Sequence, residues 1–215
     1  MTLFKVGAAF RTNQLLRGTS SPDLSFFLIK QTRLAPLFPP WLSSRLLAPN
    51  NTMSLHSSSD SSAVEQTCAA HAITAQEFHT MRTTAVEGKS FAYCPYSKFR
   101  VGCGLLTASG RVIRGANVEN ASYPVGTCAE RTAIGTAVVG GEGKGIRAIA
   151  VSTDISPPAS PCGMCRQFIR EFCDSHVPVI MFDKNDDFCV MTVEELLPMS
   201  FGPDKLPPPG APGTM

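Results

Sequence analysis

Cys128-Ala129-Glu130, read together with Pro161-Cys162-Gly163-Met164-Cys165, decides how this 215-residue chain is understood. The two stretches offer three thiols and one carboxylate. A Cys-x-x-Cys pair with a third cysteine upstream is a zinc-ligand spacing, and three protein ligands leave a tetrahedral zinc one position for water. An open position implies catalysis, and a carboxylate two residues after the first cysteine is placed to act as the base. Two other readings stay open. The Cys-x-x-Cys pair could be redox-active, which leaves Cys128 and Glu130 idle. A closed structural site would need a fourth ligand, and Cys173, Cys189 or His176 could supply it, although none has a compelling spacing.

Local sequence favours the catalytic geometry. Thr127 is expected to cap a helix running to Val139, because the segment is rich in Ala, Thr, Ile and Val, lacks proline and follows Pro124 and Gly126. Pro161 is expected in the first turn of a second helix that continues through Gln167, Phe168 and Ile169. Both helices would then present cysteines at their N-termini, where the positive end of the dipole favours thiolates. Arg131 would add positive charge beside them.

Five blocks in order resemble the zinc-dependent cytidine deaminases: Tyr93-Cys94-Pro95-Tyr96-Ser97, Asn117-Val118-Glu119-Asn120-Ala121, Cys128-Ala129-Glu130-Arg131-Thr132-Ala133, Pro161-Cys162-Gly163-Met164-Cys165-Arg166-Gln167 and Ser200-Phe201-Gly202-Pro203. The resemblance runs from about Tyr93 to Leu206 and is to the small, three-cysteine, homotetrameric nucleoside type. It implies hydrolytic deamination of cytidine and 2′-deoxycytidine to the uridines with release of ammonia, in pyrimidine salvage. It further implies one zinc per subunit on Cys128, Cys162 and Cys165, with Glu130 as the catalytic proton carrier. Asn117 and Glu119 are implied to bind the ribose hydroxyls, Phe99 to lie against the base, and Tyr123 to belong to the substrate-binding set. Arg131 is implied to support the thiolates, and Phe201 to close a neighbouring subunit's site. Independently of the resemblance, Asn117 and Glu119 stand two apart at a strand end and so share a face; a capping or turn network is the other reading of that pair.

The rest of the chain sets the frame. Residues 1–65 carry Lys5, Arg11, Arg17, Lys30, Arg33 and Arg45 against Asp23, Asp60 and Glu65, a net +3 within a whole-chain charge of +2. Residues 66–215 are therefore close to −1, which is not the footprint of a nucleic-acid binder and argues against a polynucleotide deaminase sharing the same motifs. A zinc-stabilised interaction module would have no use for Glu130, Asn117 and Glu119. The N-terminal extension reads as disordered or transit-like: its Arg- and Ser-rich, acid-poor composition suits mitochondrial targeting through residues 1–52, and the alternative is a start at Met53 and a cytoplasmic protein. Ser54 to Ser62 reads as a disordered tail before the domain. Phe26 to Ile29 is too short to span a membrane. Eight cysteines without a secretory signal, three of them assigned to metal, suggest a reducing compartment.

Within residues 66–206 the pattern predicts one helix over 69–89, a hairpin of 99–107 and 111–118 around Ser109-Gly110, the helix at 127–139, a strand at 146–152, the second cysteine helix, strands at 178–182 and 188–191, and a short helix at 192–197. Gly102, Gly104 and Gly115 are expected at close-packing or bulge positions. The order fits an α/β protein with a mixed five-stranded sheet and helices on both faces, and the resemblance implies the same three-layer α/β/α sandwich. Residues 207–215 are expected to form a disordered tail.

Overall fold

The computed structural model describes residues 54–207; the leader and the tail beyond Pro207, for which the sequence raises expectations, lie outside the described residues. In order, the elements are β1 (His56–Ser57), α1 (Ser61–His71), α2 (Ala75–Gly88), β2 (Val101–Leu106), β3 (Val112–Ala116), α3 (Ala129–Val139), β4 (Ala148–Thr153), α4 (Gly163–Phe172), β5 (Pro178–Phe182), β6 (Asp187–Thr192) and α5 (Val193–Leu196), with single 3₁₀ turns at Lys89–Phe91, Tyr123–Val125 and Pro203–Lys205.

One sheet runs in the order β1-β6-β5-β4-β2-β3. Among the described strands only β4 and β5 pair in parallel, joined through α4; the other neighbours are antiparallel. Side-chain alternation splits the core in two. Cys103, Leu105, Ile149, Val151, Val179 and Met181 face α3, α4 and α5. Leu106, Ala148, Ala150, Ile180, Phe182 and Phe188 face α1 and α2. Strand residues that alternate but are apolar on both sides require cover on both faces, which gives the three layers the sequence predicts.

Several expectations are corrected. The sheet has six strands rather than five, because His56 and Ser57 pair with Phe188 and Asp187 as a two-residue edge. The Ser54–Ser62 run is therefore not a tail: Asp60 caps α1 by accepting from Ser62 N at 2.9 Å, and Val64 and Cys68 bury against the sheet. The ordered fold thus begins before residue 66. The single helix expected over 69–89 is two, broken at Ala72, whose φ of 53° is left-handed. Thr74 restarts the chain with a capping box to Glu77.

The glycines of the hairpin explain how close the layers lie. A Cβ on Gly102 would sit 1.9 Å from Ala85 O, and one on Gly104 2.5 Å from Met81 O, so α2 rests directly on the β2 backbone. On the opposite face a Cβ on Gly115 would meet Ala129 O at 2.1 Å. That contact seats the first turn of α3 on the sheet and so fixes the height of Cys128 and Glu130. Among the described residues no helix is long and apolar enough to cross a membrane.

Candidate active site

Cys128 is the N-cap of α3 and Cys162 the N-cap of α4, both in extended conformation. The expected cap at Thr127 is one residue early, and Pro161, expected inside the first turn, instead precedes the N-cap, two residues before α4 begins. Neither cysteine makes a side-chain cap hydrogen bond, so both thiols are spared from capping. Cys165 follows one turn into α4 and is fully buried. The Sγ atoms of Cys128 and Cys162 are 3.9 Å apart, those of Cys162 and Cys165 3.5 Å, and all three lie within 4.8 Å of one another. A tetrahedral zinc with Zn–S bonds of about 2.3 Å separates its sulfurs by about 3.8 Å, so the donor set fits the metal in number, type and spacing.

The charges are arranged for thiolates. Cys128 is brought down to about 5, first by the hydrogen bond from Cys165 and then by Arg131 and Cys162, against the opposing effect of burial. Cys165 moves the other way, first because its own thiol proton is held in the hydrogen bond to Cys128 and then because it is buried. Arg131 is held by a 2.9 Å bond from Nη2 to Gly126 O. All eight cysteines are free thiols. Cys103, Cys173 and Cys189 are raised by burial, as expected of inert core thiols.

Glu130 sits in the first turn of α3 and is 3 % exposed. Its Oε2 has no hydrogen-bond partner among the described residues, and burial is the largest influence raising its pKa above the usual carboxylate value. An orphaned, desolvated carboxylate beside three thiols is costly unless something completes it.

A cavity of about 610 Å³ opens over this cluster, lined by Cys128, Glu130, Arg131 and Cys162 together with Phe99, Asn117, Glu119 and Tyr123. The structure thus brings together nearly every residue singled out in the sequence. Phe201 does not line this cavity; its ring is exposed, and its carbonyl accepts from Gln167 Nε2 at 2.9 Å. Asn117 Oδ1 accepts from Val101 N and its Nδ2 donates to Phe99 O, both at 2.9 Å. The Glu119 carboxylate accepts from Tyr96 N at 2.9 Å, from Ser97 N at 3.2 Å and from the Ser97 hydroxyl. The turn-network reading of this pair is therefore present in the structure, and it does not exhaust either group. A carboxylate has about four acceptor positions, and a primary amide offers two N–H groups and two lone pairs.

Ser97, Val101, Thr153 and Met164 also line the cavity and were not singled out as site residues from the sequence. Val101 and Thr153 are register partners of β2 and β4. Strand pairing is what puts them together, and no local motif announces it. Met164 carried a signal: an apolar residue inside the cysteine pair, exposed at a helix start.

The family model for the cytidine and deoxycytidylate deaminase zinc-binding region matches residues 74–181. The cytidine deaminase of Halalkalibacterium halodurans is 46% identical over 117 residues, covering 54% of this chain and 88% of that protein. The cytidine deaminase of Sporosarcina psychrophila is 45% identical over 115 residues, covering 54% of this chain and 84% of its own length. Among solved structures, cytidine deaminase from Burkholderia pseudomallei superimposes with a TM-score of 0.56 at 40% identity, covering 57% of this chain and 98% of that one.

Proposed function

The chain belongs to the cytidine and deoxycytidylate deaminase family, whose members include hydrolases acting on cytidine, and from that premise we propose that it deaminates both cytidine and 2′-deoxycytidine in a zinc-dependent reaction serving pyrimidine salvage. The observation that carries this reading is the orphaned Glu130 carboxylate sharing one cavity with the Cys128 and Cys162 thiols, which cluster with the Cys165 thiol buried behind them.

Bound by the three cysteines, zinc supplies the Lewis acidity that lets water give up a proton near neutral pH. Glu130 accepts that proton and passes it to N3 of the cytosine ring as the water oxygen bonds to C4. Glu130 then carries the second proton of the same oxygen to the amine, the C4–N bond breaks, and ammonia leaves. Burial of Glu130 suits both tasks, because a carboxyl group whose pKa is raised gives back the proton it takes. Arg131 holds the thiolates, Phe99 lies against the base, and Tyr123 belongs to the wall beside it. Asn117 and Glu119 use their remaining hydrogen-bonding positions for the sugar hydroxyls.

The substrate is a free nucleoside rather than a polynucleotide, consistent with the near-neutral charge of residues 66–215. The functional unit is a homotetramer. Tyr123 and Met164, which line the cavity, are more than 60% exposed in the single chain, as are Val125 and Phe201, and Phe201 closes a neighbour's site. Residues 1–52 are an extension to the deaminase domain and the enzyme is cytoplasmic, with that extension as the segment that would direct it to mitochondria instead.

The test compares cytidine, cytidine monophosphate and cytidine within single-stranded DNA. A phosphate near Glu119 places two anions close together in a partly desolvated site. Cytidine should therefore turn over at least tenfold more efficiently than the monophosphate, taking about 1.4 kcal/mol of repulsion as a minimum. Equal or better turnover of the monophosphate would remove Glu119 from the sugar site, and selective turnover of the DNA would replace the salvage reading with a polynucleotide one.

A further inference from the structure

Phe99, the aromatic wall of the cavity, is reached through a tight turn. Lys98 N donates to Cys94 O at 3.1 Å, and Lys98 itself has a φ of 59°, the left-handed region that a lysine enters only at a cost. No secondary-structure ladder holds the segment from Cys94 to Phe99 in this shape. Ser97 does much of the holding. Its hydroxyl donates to the Glu119 carboxylate and accepts from Phe99 N at 3.0 Å, while its own backbone N–H donates to Glu119 at 3.2 Å. One hydroxyl therefore connects the carboxylate on one side of the cavity with the backbone of the aromatic residue on the other. Ser97 also borders both this cavity and a smaller one of about 450 Å³ beyond Glu119 and Tyr123.

We propose that Ser97 is a positioning residue for substrate: through its hydroxyl it fixes the orientation of the Glu119 carboxylate and the placement of Phe99 together, so that sugar and base are held in one register. This rests on the assignment of Glu119 to the sugar and Phe99 to the base. The same hydroxyl is the largest influence lowering the pKa of Glu119, which keeps that carboxylate ionised and accepting below the usual carboxylate range.

The experiment is steady-state kinetics with cytidine on the purified zinc-loaded protein, on Ser97→Ala and on Ser97→Thr, with Tm and zinc content measured on each. In Ser97→Ala, KM should rise roughly fivefold to thirtyfold, the scale of losing a hydrogen bond to a charged group, while kcat stays within about twofold and zinc content is unchanged. Ser97→Thr keeps the hydroxyl and should keep KM within about threefold. The pH dependence adds a readout that loss of fold would not produce. Without the Ser97 hydroxyl, Glu119 returns toward its ordinary value, so the rise of KM on acidification should begin at higher pH in Ser97→Ala than in the parent.

An unchanged KM in Ser97→Ala overturns the proposal. So does a loss confined to kcat, or one accompanied by a fall in Tm and zinc content, which would make Ser97 a general structural residue. If the parent protein itself fails to convert cytidine, the assigned reaction falls and this proposal with it; a parent that works alongside an indifferent Ser97→Ala removes the proposal alone.

Discussion

Replacing Glu130 by Gln should lower turnover of cytidine by roughly 10²- to 10⁴-fold, about 3–5 kcal/mol of transition-state stabilisation, while zinc stays bound and the fold stays intact. Gln preserves the length of the side chain and its hydrogen-bonding capacity but cannot take a proton. The structural context makes the prediction sharp. Glu130 is 3 % exposed, and burial already works against its charge, so a neutral isostere removes an unfavourable term and Tm should hold or rise. Substrate affinity need not fall. A variant that lost zinc and unfolded would show Glu130 to be a ligand or a packing residue, and one with near-parental turnover would end its role as proton carrier.

Cys162→Ala should fail in a different way. It removes one of three thiolates, and even outer partners of a metal ligand commonly account for 10- to 100-fold in affinity, so zinc affinity should drop by more than about 100-fold. Activity and stability should fall together, because metal binding to a preformed site is coupled to folding. Chelation should lower the Tm of the parent protein and leave that of the variant nearly unchanged. A Cys162→Ala protein that retained one zinc per chain with parental affinity would exclude Cys162 from the metal set.

The contrast between the two substitutions reflects how the site is built. Two helix N-termini, at Cys128 and Cys162, converge from the same side of the sheet, and the chain reaches that geometry because Gly115 lets α3 sit against β3 without a side chain between. One proposed ligand, Cys128, and the proposed base, Glu130, are on the same element, only two residues apart, while Cys162 and Cys165 come from α4. Removing the base leaves the sulfur cage; removing a sulfur dismantles the cage around an intact base.

The metal cluster was legible in the sequence because its spacing is local: a helix turn brings Cys162 and Cys165 together, and Cys128 stands at the start of a second helix-forming stretch. The layer order was legible for a similar reason, since strands alternating between two apolar faces demand helices on both. What escaped were features decided by tertiary contact or by competing local signals. Ser54 to Ser62 has the composition of a tail, yet Asp60 supplies an N-cap and His56 finds an edge against Phe188. Thr127 is the better capping residue by preference, but Cys128 takes the position, while the Thr127 backbone pairs with Val118 in both directions. Thr74 and Glu77 spell a capping box that the longer apolar pattern around them obscured. Val101 and Thr153 meet only through strand register, and the bridge from Ser97 to both Glu119 and Phe99 depends on a turn at Lys98 that a lysine does not advertise.

In the proposed reaction three cysteines of this chain hold a zinc that works with Glu130 on cytidine. Its most direct test is a single preparation in which zinc per chain and conversion of cytidine to uridine are measured before chelation, after it, and after zinc is restored. One zinc per chain, conversion that disappears with the metal, and conversion that returns with it are the expected results. Uridine formed at an undiminished rate by the zinc-free protein, or none formed by the fully loaded one, would contradict the account.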